Sequence, residues 1–180
     1  MIFTPTPLEG AYLVDLERHE DERGYLARTW CRKEFEARGL NTGLVQCSQS
    51  YSRRRGTLRG LHWQVAPHAE AKLVRCVRGA LWDVIVDLRS ESTSYGRHFG
   101  ARLDAGSGRA LYVPEGLAHG YVTLEDHTEV FYQMSEYYHP ESARGIRWND
   151  PSFSIEWPVR DPILHPRDAA YPDFRLEPPS

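Results

Sequence analysis

The feature that most limits what this chain can fold into is a series of ten short β-rich segments, separated by glycine, proline, asparagine and aspartate. The segments are residues 9–15, 25–30, 44–52, 57–64, 71–78, 80–88, 98–103, 110–113, 119–124 and 128–134. Only residues 31–38 carry a helical pattern, and Gly39 follows them as a C-cap. Many short strands with little helix predict an all-β sandwich or barrel.

Three local patterns refine this prediction. The tripeptide Arg78-Gly79-Ala80 is typical of a tight turn and predicts a hairpin between the two strands that it joins. Segment 80–88 is nearly continuously apolar, and we expect it to be buried on one face, with Asp83 and Asp87 on a functional or solvated face. Most prolines follow Asp150, which predicts a C-terminal tail that wraps the surface without a regular core element.

Length and composition exclude several classes of protein. A chain of 180 residues fits one domain, so residues 1–180 are expected to form a single unit. The net charge of −3 argues against a nucleic-acid binder, and no apolar run approaches the roughly 20 residues of a membrane span. The N-terminus lacks the pattern of a secretory signal, and three widely spaced cysteines suggest neither disulfides nor a zinc knuckle. We therefore expect a soluble, cytoplasmic protein.

The densest run of polar residues lies in segment 53–64 and ends in Leu-His-Trp-Gln. In an alternating strand, Gly60, His62 and Gln64 share one face, and Leu61 lies on the other. A glycine beside His62 is expected to leave room for a ligand to approach the backbone. His62 is therefore a candidate functional residue, and a hydrogen-bonded core histidine is the alternative.

Lys72 is one of only two lysines among the 22 basic residues, and it lies within a β-rich run. Alternation places Lys72, Val74 and Cys76 on a common face. A partly buried ammonium can stabilise a developing oxyanion, because the attraction strengthens as water is excluded. Asp83 in the following strand is expected to hold this ammonium in place. A plain cross-strand ion pair is the alternative interpretation.

A third group of residues has the spacing Gly108-x5-Pro-x-Gly116-x2-His119, which is that of the second cupin motif. Cupins often hold a metal through His-x-His and Glu in the first motif and His in the second. Here the first motif reads His62-Trp63-Gln64, and Glu70 lies late for the carboxylate ligand. Only two strong ligands remain, His62 and His119, so a bound metal is disfavoured.

Farther along, Tyr132 and Tyr138 are candidates for a general acid or a stacking surface, with simple packing as the alternative.

Taken together, the motifs of this chain resemble the dTDP-4-dehydrorhamnose 3,5-epimerase family. The motifs that carry the resemblance are Asp21–Gly24, Gly56–Gln64, Lys72–Arg75, Asp83–Arg89, Val113–Gly120 and Trp148–Pro151. The resemblance implies a cupin-type jelly-roll barrel with one or two short helices and a proline-rich C-terminal tail. It also implies a homodimer that needs neither metal nor organic cofactor. Charge and hydropathy add the expectation that the protein binds neither nucleic acid nor membrane. The implied substrate is a nucleoside-diphosphate 4-keto-6-deoxyhexose, epimerised at C3 and C5 or at C3 alone.

The resemblance also implies roles for individual residues. The base corresponds to His62, oriented by Asp168, while Lys72 faces the 4-keto oxygen and Tyr132 is the acid that reprotonates the sugar. A second set corresponds to substrate-binding positions: Arg23, Gln46, Arg59, His119 and Tyr138. This chain departs from the family pattern at Arg28, at Trp63 and in residues 46–51, so the base and the sugar of its substrate are left open.

Two alternatives to a cofactor-independent epimerase follow from the same residues. One is a metal-dependent cupin enzyme that uses His62 and His119. The other is a non-catalytic cupin that binds a sugar nucleotide. Retention of a base and an acid together, in His62 and Tyr132, favours the epimerase, because binding alone requires neither.

Overall fold

Two antiparallel β-sheets pack against each other in the computed structural model, which describes residues 1–176. One sheet has six strands in the order β1 (Ile2–Pro5), β2 (Tyr12–Asp15), β10 (Ala110–Val113), β7 (Lys72–Arg78), β12 (Thr128–Met134) and β5 (Gln46–Ser52). The other has five, in the order β13 (Ala143–Gly145), β6 (Leu58–Gln64), β11 (Leu117–Thr123), β8 (Ala80–Asp87) and β9 (His98–Asp104). A separate hairpin pairs β3 (Arg18–Asp21) with β4 (Gly24–Ala27), and two short helices are α1 (Arg32–Glu36) and α2 (Pro166–Ala169). The all-β prediction is therefore confirmed.

Each sheet carries an apolar cluster on each of its faces. The largest apolar cluster lies between them and includes Val74 of β7, Ile85 of β8 and Tyr121 of β11. A second cluster packs Phe35 of α1 against the outer face of the six-stranded sheet, and a third packs Phe153 of the tail against the outer face of the five-stranded sheet. The burial of β8 on both sides explains why its sequence is almost continuously apolar.

The predicted hairpin at Gly79 is wrong. Strand β7 belongs to the six-stranded sheet and β8 to the five-stranded sheet, so Gly79 forms a corner between sheets. Its φ of +73° is a conformation that glycine tolerates best, and a Cβ there would lie 2.7 Å from Oγ1 of Thr128. The sequence signalled a change of chain direction, but it carried no information about which strand becomes the neighbour.

The two aspartates of β8 are both fully buried, so the face that carries them is not solvated, and of the two expected alternatives only a functional face remains. Asp87 accepts hydrogen bonds from the side chains of Arg89, Ser92 and Ser94. Burial by itself would raise the pKa of Asp87, but these donors outweigh it and hold the pKa below its ordinary value. Asp87 therefore ties the β8–β9 loop together as an ionised carboxylate.

The proline-rich tail includes one short element of regular structure. It contains the one-turn helix α2, which begins with Pro166 at its first position and is capped by the side chain of His165. Just before the helix, the backbone of Ile163 exchanges hydrogen bonds with Gly56 and Leu58. This anchors the tail beside strand β6, where it positions one side chain of the site. Within residues 1–176, no helix is long and apolar enough to cross a membrane.

Candidate active site

A histidine–aspartate pair joins β6 to the tail. Nε2 of His62 lies 2.8 Å from Oδ1 of Asp168, and the other carboxylate oxygen accepts from the backbone N–H of Gly60 at 3.3 Å. The side chain of Asp168 is only 4% exposed. Burial opposes its ionisation, but the hydrogen bond and charge of His62 outweigh that effect and lower the pKa of Asp168. Because a carboxylate oxygen can only accept, Nε2 is the donor in this bond, and Nδ1 is the nitrogen that carries the lone pair in the neutral form of the ring.

The glycine beside this histidine serves a different purpose from the one expected. A Cβ on Gly60 would lie 2.6 Å from Cα of Gly120 and 2.6 Å from the carbonyl oxygen of His119. The neighbouring strand β11, rather than a ligand, therefore occupies the space that Gly60 leaves open. This close approach brings His62 and His119 into register on adjacent strands.

His119 forms a second imidazole–carboxylate pair. Its Nε2 lies 2.6 Å from Oδ1 of Asp83, and both side chains are buried. Oδ2 of Asp83 has no hydrogen-bond partner among the described residues. The two adjacent strands β6 and β11 thus each contribute a histidine held by a carboxylate.

Lys72 lies on the face predicted from alternation, which it shares with the core residues Val74 and Cys76. Its ammonium lies 3.0 Å from Oε1 of Glu70 and donates to the carbonyl oxygen of His62 at 3.4 Å. Among the described residues, the expected ion pair with Asp83 is not formed, and His119 is the partner of that carboxylate, through Oδ1. The ammonium of Lys72 therefore pairs with Glu70, which lies two residues earlier in the chain.

Tyr132 approaches from the opposite sheet. It belongs to β12, and its hydroxyl lies 3.3 Å from Oγ of Ser50, which in turn contacts the hydroxyl of Tyr121 at 2.8 Å. Burial is the main reason that the pKa of Tyr132 lies well above its ordinary value, and the neighbouring Tyr121 adds to it. The phenol is therefore protonated at neutral pH.

These groups surround a cleft with two lobes that meet at four shared residues: His62, Lys72, Tyr132 and Arg167. The first, here the His119 lobe, has a volume of about 620 Å³ and is also lined by Arg59, His119, Tyr121 and Asp168. The second, here the Tyr138 lobe, has a volume of about 410 Å³ and is also lined by Gln46, Gln64, Glu70, Tyr138, Arg144 and Tyr171. The cleft is large enough for an elongated ligand.

Eight of the nine residues predicted for the site line these two lobes. The exception is Arg23, at the tip of the β3–β4 hairpin. Its side chain is 89% exposed and is bonded to Asp21 of the same hairpin. Arg28, at the other end of the hairpin, pairs with Glu34 of α1 at 2.9 Å. Within one chain the hairpin therefore does not reach the cleft.

Sequence reasoning missed two contributors from the tail. Arg167 lines both lobes, and the ring of Tyr171 packs edge-on against His62 with centroids 6.1 Å apart. Tyr171 lies directly on Gly145, where a Cβ would overlap the ring. The proximity of both residues to Asp168 in the sequence was the available signal.

The ligand geometry bears on the metal-dependent alternative. Among residues 1–176, the group of three metal-ligating side chains lying within 4.8 Å of one another is His68, His139 and Glu141. That group includes neither His62 nor His119, each of which already has a nitrogen bonded to a carboxylate. The described part of the chain thus offers these two histidines no third ligand in the usual arrangement. The groups present suit proton transfer: a base with a free lone pair, an ammonium and a neutral phenol around one cavity.

Comparison with known proteins gives a consistent result. The sequence model of the family described as dTDP-4-dehydrorhamnose 3,5-epimerase matches residues 5–175. The dTDP-4-dehydrorhamnose 3,5-epimerase of Methanothermobacter thermautotrophicus is 42% identical over 98% of this chain and 96% of its own length. The dTDP-4-dehydrorhamnose 3-epimerase of Streptomyces niveus is 40% identical over 93% of this chain and 81% of its own length.

A solved structure agrees with these sequence matches. The crystal structure of dTDP-4-dehydrorhamnose 3,5-epimerase from Bacillus anthracis, with TDP and PPi bound, superimposes with a TM-score of 0.92 and 39% identity. The alignment covers 96% of this chain and 99% of that one. The predicted cupin-type jelly-roll fold is thereby confirmed.

Proposed function

The chain belongs to the dTDP-4-dehydrorhamnose 3,5-epimerase family and is an isomerase, and on that premise we propose that it epimerises a dTDP-4-keto-6-deoxyhexose without a cofactor. The observation that carries the proposal is the placement of a base and an acid on opposite sheets, around one cavity. His62 belongs to the five-stranded sheet and Tyr132 to the six-stranded sheet. Inversion requires removal of a proton from one face of a carbon and delivery of a proton to the other.

In the proposed reaction, Nδ1 of His62 removes the proton α to the 4-keto group. The C–H electron pair forms a double bond to the carbonyl carbon, the carbonyl π pair moves onto oxygen, and the ammonium of Lys72 stabilises the resulting enolate oxygen. The phenol of Tyr132 then donates its proton to the opposite face of the same carbon. Solvent reprotonates the phenolate and takes up the proton held by the imidazolium of His62, which restores both groups. Asp168 holds His62 in the required tautomer and stabilises the imidazolium that forms.

The two lobes suggest how the rest of the substrate binds. The sugar lies where His62, Lys72 and Tyr132 meet, within reach of Arg59 and His119. The nucleotide extends into the Tyr138 lobe, where the Tyr138 ring can stack on the base and Arg144 can approach the diphosphate. Relatives with TDP bound and with 3-epimerase activity support this assignment of substrate class. We therefore propose dTDP-4-dehydro-6-deoxy-D-glucose as the substrate.

The test is deuterium exchange during incubation with that sugar nucleotide in D₂O, followed by NMR. Exchange and inversion at both C3 and C5 are expected of a 3,5-epimerase, and exchange at C3 alone of a 3-epimerase. Absence of exchange at either carbon, with tight dTDP binding, would favour the non-catalytic cupin. Activity that appears only after addition of a divalent metal would favour the metal-dependent enzyme.

We also propose a homodimer in which Arg23 acts on the cleft of the partner. The β3–β4 hairpin stands apart from the two sheets, and it exposes 77% of Leu26 and half of Tyr25. Exposed apolar side chains on a hairpin that lies outside both sheets favour docking against another surface. Since Arg23 lies outside its own cleft, only a second copy can bring it to a bound nucleotide.

Mixing two variants tests this arrangement. Replacement of Arg23 by alanine is expected to raise KM about 10-fold, since a charge-assisted hydrogen bond is lost. When the R23A and H62A chains are unfolded together and refolded at equal amounts, half of the dimers are mixed, and each mixed dimer has one intact site. Activity at low substrate is then expected to recover to about a quarter of wild type, by random pairing. No recovery above the R23A level, or a monomer in light scattering, would contradict the proposal.

A further inference from the structure

Two glutamine side chains hold three consecutive residues of backbone at the edge of the Tyr138 lobe. Oε1 of Gln46 accepts from the N–H of Tyr138 at 3.2 Å, and Oε1 of Gln64 accepts from the N–H of His139 at 2.6 Å. Nε2 of Gln64 donates to the carbonyl oxygen of Tyr137 at 3.0 Å. The segment 137–139 is therefore attached to strands β5 and β6 through side-chain amides.

Gln64 joins this segment to a second loop. Its Nε2 also donates to the carbonyl oxygen of His68 at 3.0 Å, so both of its donor hydrogens are used within the protein. The side chains of the two loops meet as well: the rings of His68 and His139 stack with centroids 3.5 Å apart, and Nδ1 of His68 lies 3.0 Å from Oγ of Ser142. One glutamine thus organises the junction of two loops.

Burial makes these hydrogen bonds important. Gln64 is only 3% exposed, so a change that removes its amide leaves backbone groups without partners and without ready access to water. Gln64 borders the Tyr138 lobe, but its donors already serve the protein. It is therefore suited to hold other groups in place rather than to bind a ligand itself.

The side chain that depends on this junction is Tyr138. Its ring is 60% exposed, so the position of the ring in the lobe is determined mainly by its backbone. That backbone is held on one side by Gln46 and on the other by Gln64. If the segment loosens, we expect the Tyr138 ring to lose the orientation that stacking requires. The groups around His62 are expected to keep their positions.

From these contacts we infer that Gln64 is a positioning residue for the nucleotide subsite, acting through the backbone of Tyr137–His139 to present Tyr138. The inference rests on the proposed function, in which Tyr138 stacks on the base of a dTDP-sugar. Two residues of one strand then have different roles. His62 acts on the sugar, and Gln64, two residues later on the same strand, sets the site for the nucleotide.

The test compares Gln64→Leu and Gln64→Glu with wild type. Leucine keeps the bulk but removes the hydrogen bonds, and glutamate keeps the shape but turns an oxygen toward two carbonyl oxygens. Both variants are expected to raise the Kd for dTDP, measured by calorimetry, and the KM about 10-fold, by loss of ordering at the subsite. The kcat for exchange at saturating substrate is expected to stay within about 3-fold of wild type, because the groups around His62 are unchanged.

A stability control separates positioning from simple destabilisation. Val14→Ala removes a buried side chain in the second apolar cluster, which lies outside both lobes, and is expected to lower Tm without changing the Kd for dTDP. The double variant Gln64→Leu/Tyr138→Ala is expected to bind dTDP about as weakly as Tyr138→Ala alone. Additive losses, or Gln64 variants that lose only Tm, would overturn the inference. Failure of the wild-type protein to bind dTDP would instead contradict the proposed function.

Discussion

Replacing His62 by alanine is expected to lower the rate of epimerisation by at least about 10²-fold, since general base catalysis contributes about 10²- to 10⁴-fold. The physical reason is that Asp168 holds Nε2 of His62, which leaves Nδ1 to take up the proton of the substrate. The binding of dTDP is expected to change little, because the proposed nucleotide subsite is the Tyr138 lobe. Deuterium exchange at C3 and C5, measured by NMR, reports the loss of the base directly.

A second substitution, Asp168→Asn, tests the contribution of the carboxylate by itself. The amide keeps the size of the side chain but removes the charge that stabilises the imidazolium, and it can present a donor to Nε2 and so favour the wrong tautomer. A loss of about 10²- to 10⁴-fold is expected from the known behaviour of such pairs. The matched control is His98→Ala, on the edge strand β9 and outside both lobes, which is expected to leave the rate unchanged. Wild-type exchange rates in H62A would show that the base is another residue.

The second large effect is expected for Tyr132→Phe, and it should separate two steps of the reaction. Without the phenol, the enolate is reprotonated by His62 on the face from which the proton left, so the substrate exchanges its hydrogen without inversion. Product formation is expected to fall about 10²-fold, as for loss of a general acid, while deuterium still enters recovered substrate. The ratio of deuterated substrate to product, measured by NMR at early times, is the informative quantity.

The pKa of Tyr132 predicts the pH behaviour of this step. Because burial raises that pKa well above the ordinary value of about 10, the phenol stays protonated and competent as an acid from neutral pH to at least about pH 9. Loss of the acid through ionisation is therefore expected only at higher pH. Tyr12→Phe, on β2 and outside both lobes, is the matched control. Equal slowing of exchange and of product formation in Tyr132→Phe would contradict the assignment of the phenol as the acid.

Much of the fold could be predicted because strands and turns leave local patterns. The ten predicted segments correspond to observed strands, and the predicted helix corresponds to α1, followed by Gly39 with a φ of +68°. Strands β1, β3 and β13 were missed because they are short and largely exposed, so no alternation of burial is imposed on their sequences. The short helix α2 was missed because prolines dominate its surroundings, although Pro166 at its first position is a favourable start.

The candidate site could also be predicted in part. Residue types and their placement pointed to His62, Lys72, His119, Tyr132 and Tyr138, and the resemblance added Asp168; all six line the cleft. Pairing between side chains was less predictable. Lys72 meets Glu70 rather than Asp83, and Asp83 is bonded instead to His119 of the neighbouring strand β11.

The sequence by itself determined that this protein is built from short strands, which faces of those strands carry polar groups, and to which family the chemistry belongs. Those properties depend on alternation, turn residues and motif spacing, all of which are local in the chain. Only the tertiary structure decided that Gly79 is a corner between sheets, that Gly60 admits Gly120 rather than a ligand, and that Gln64 joins two loops around Tyr138. The physical reason is that each of these depends on which distant backbone comes within a few ångströms, and sheet pairing across long sequence separations sets that distance.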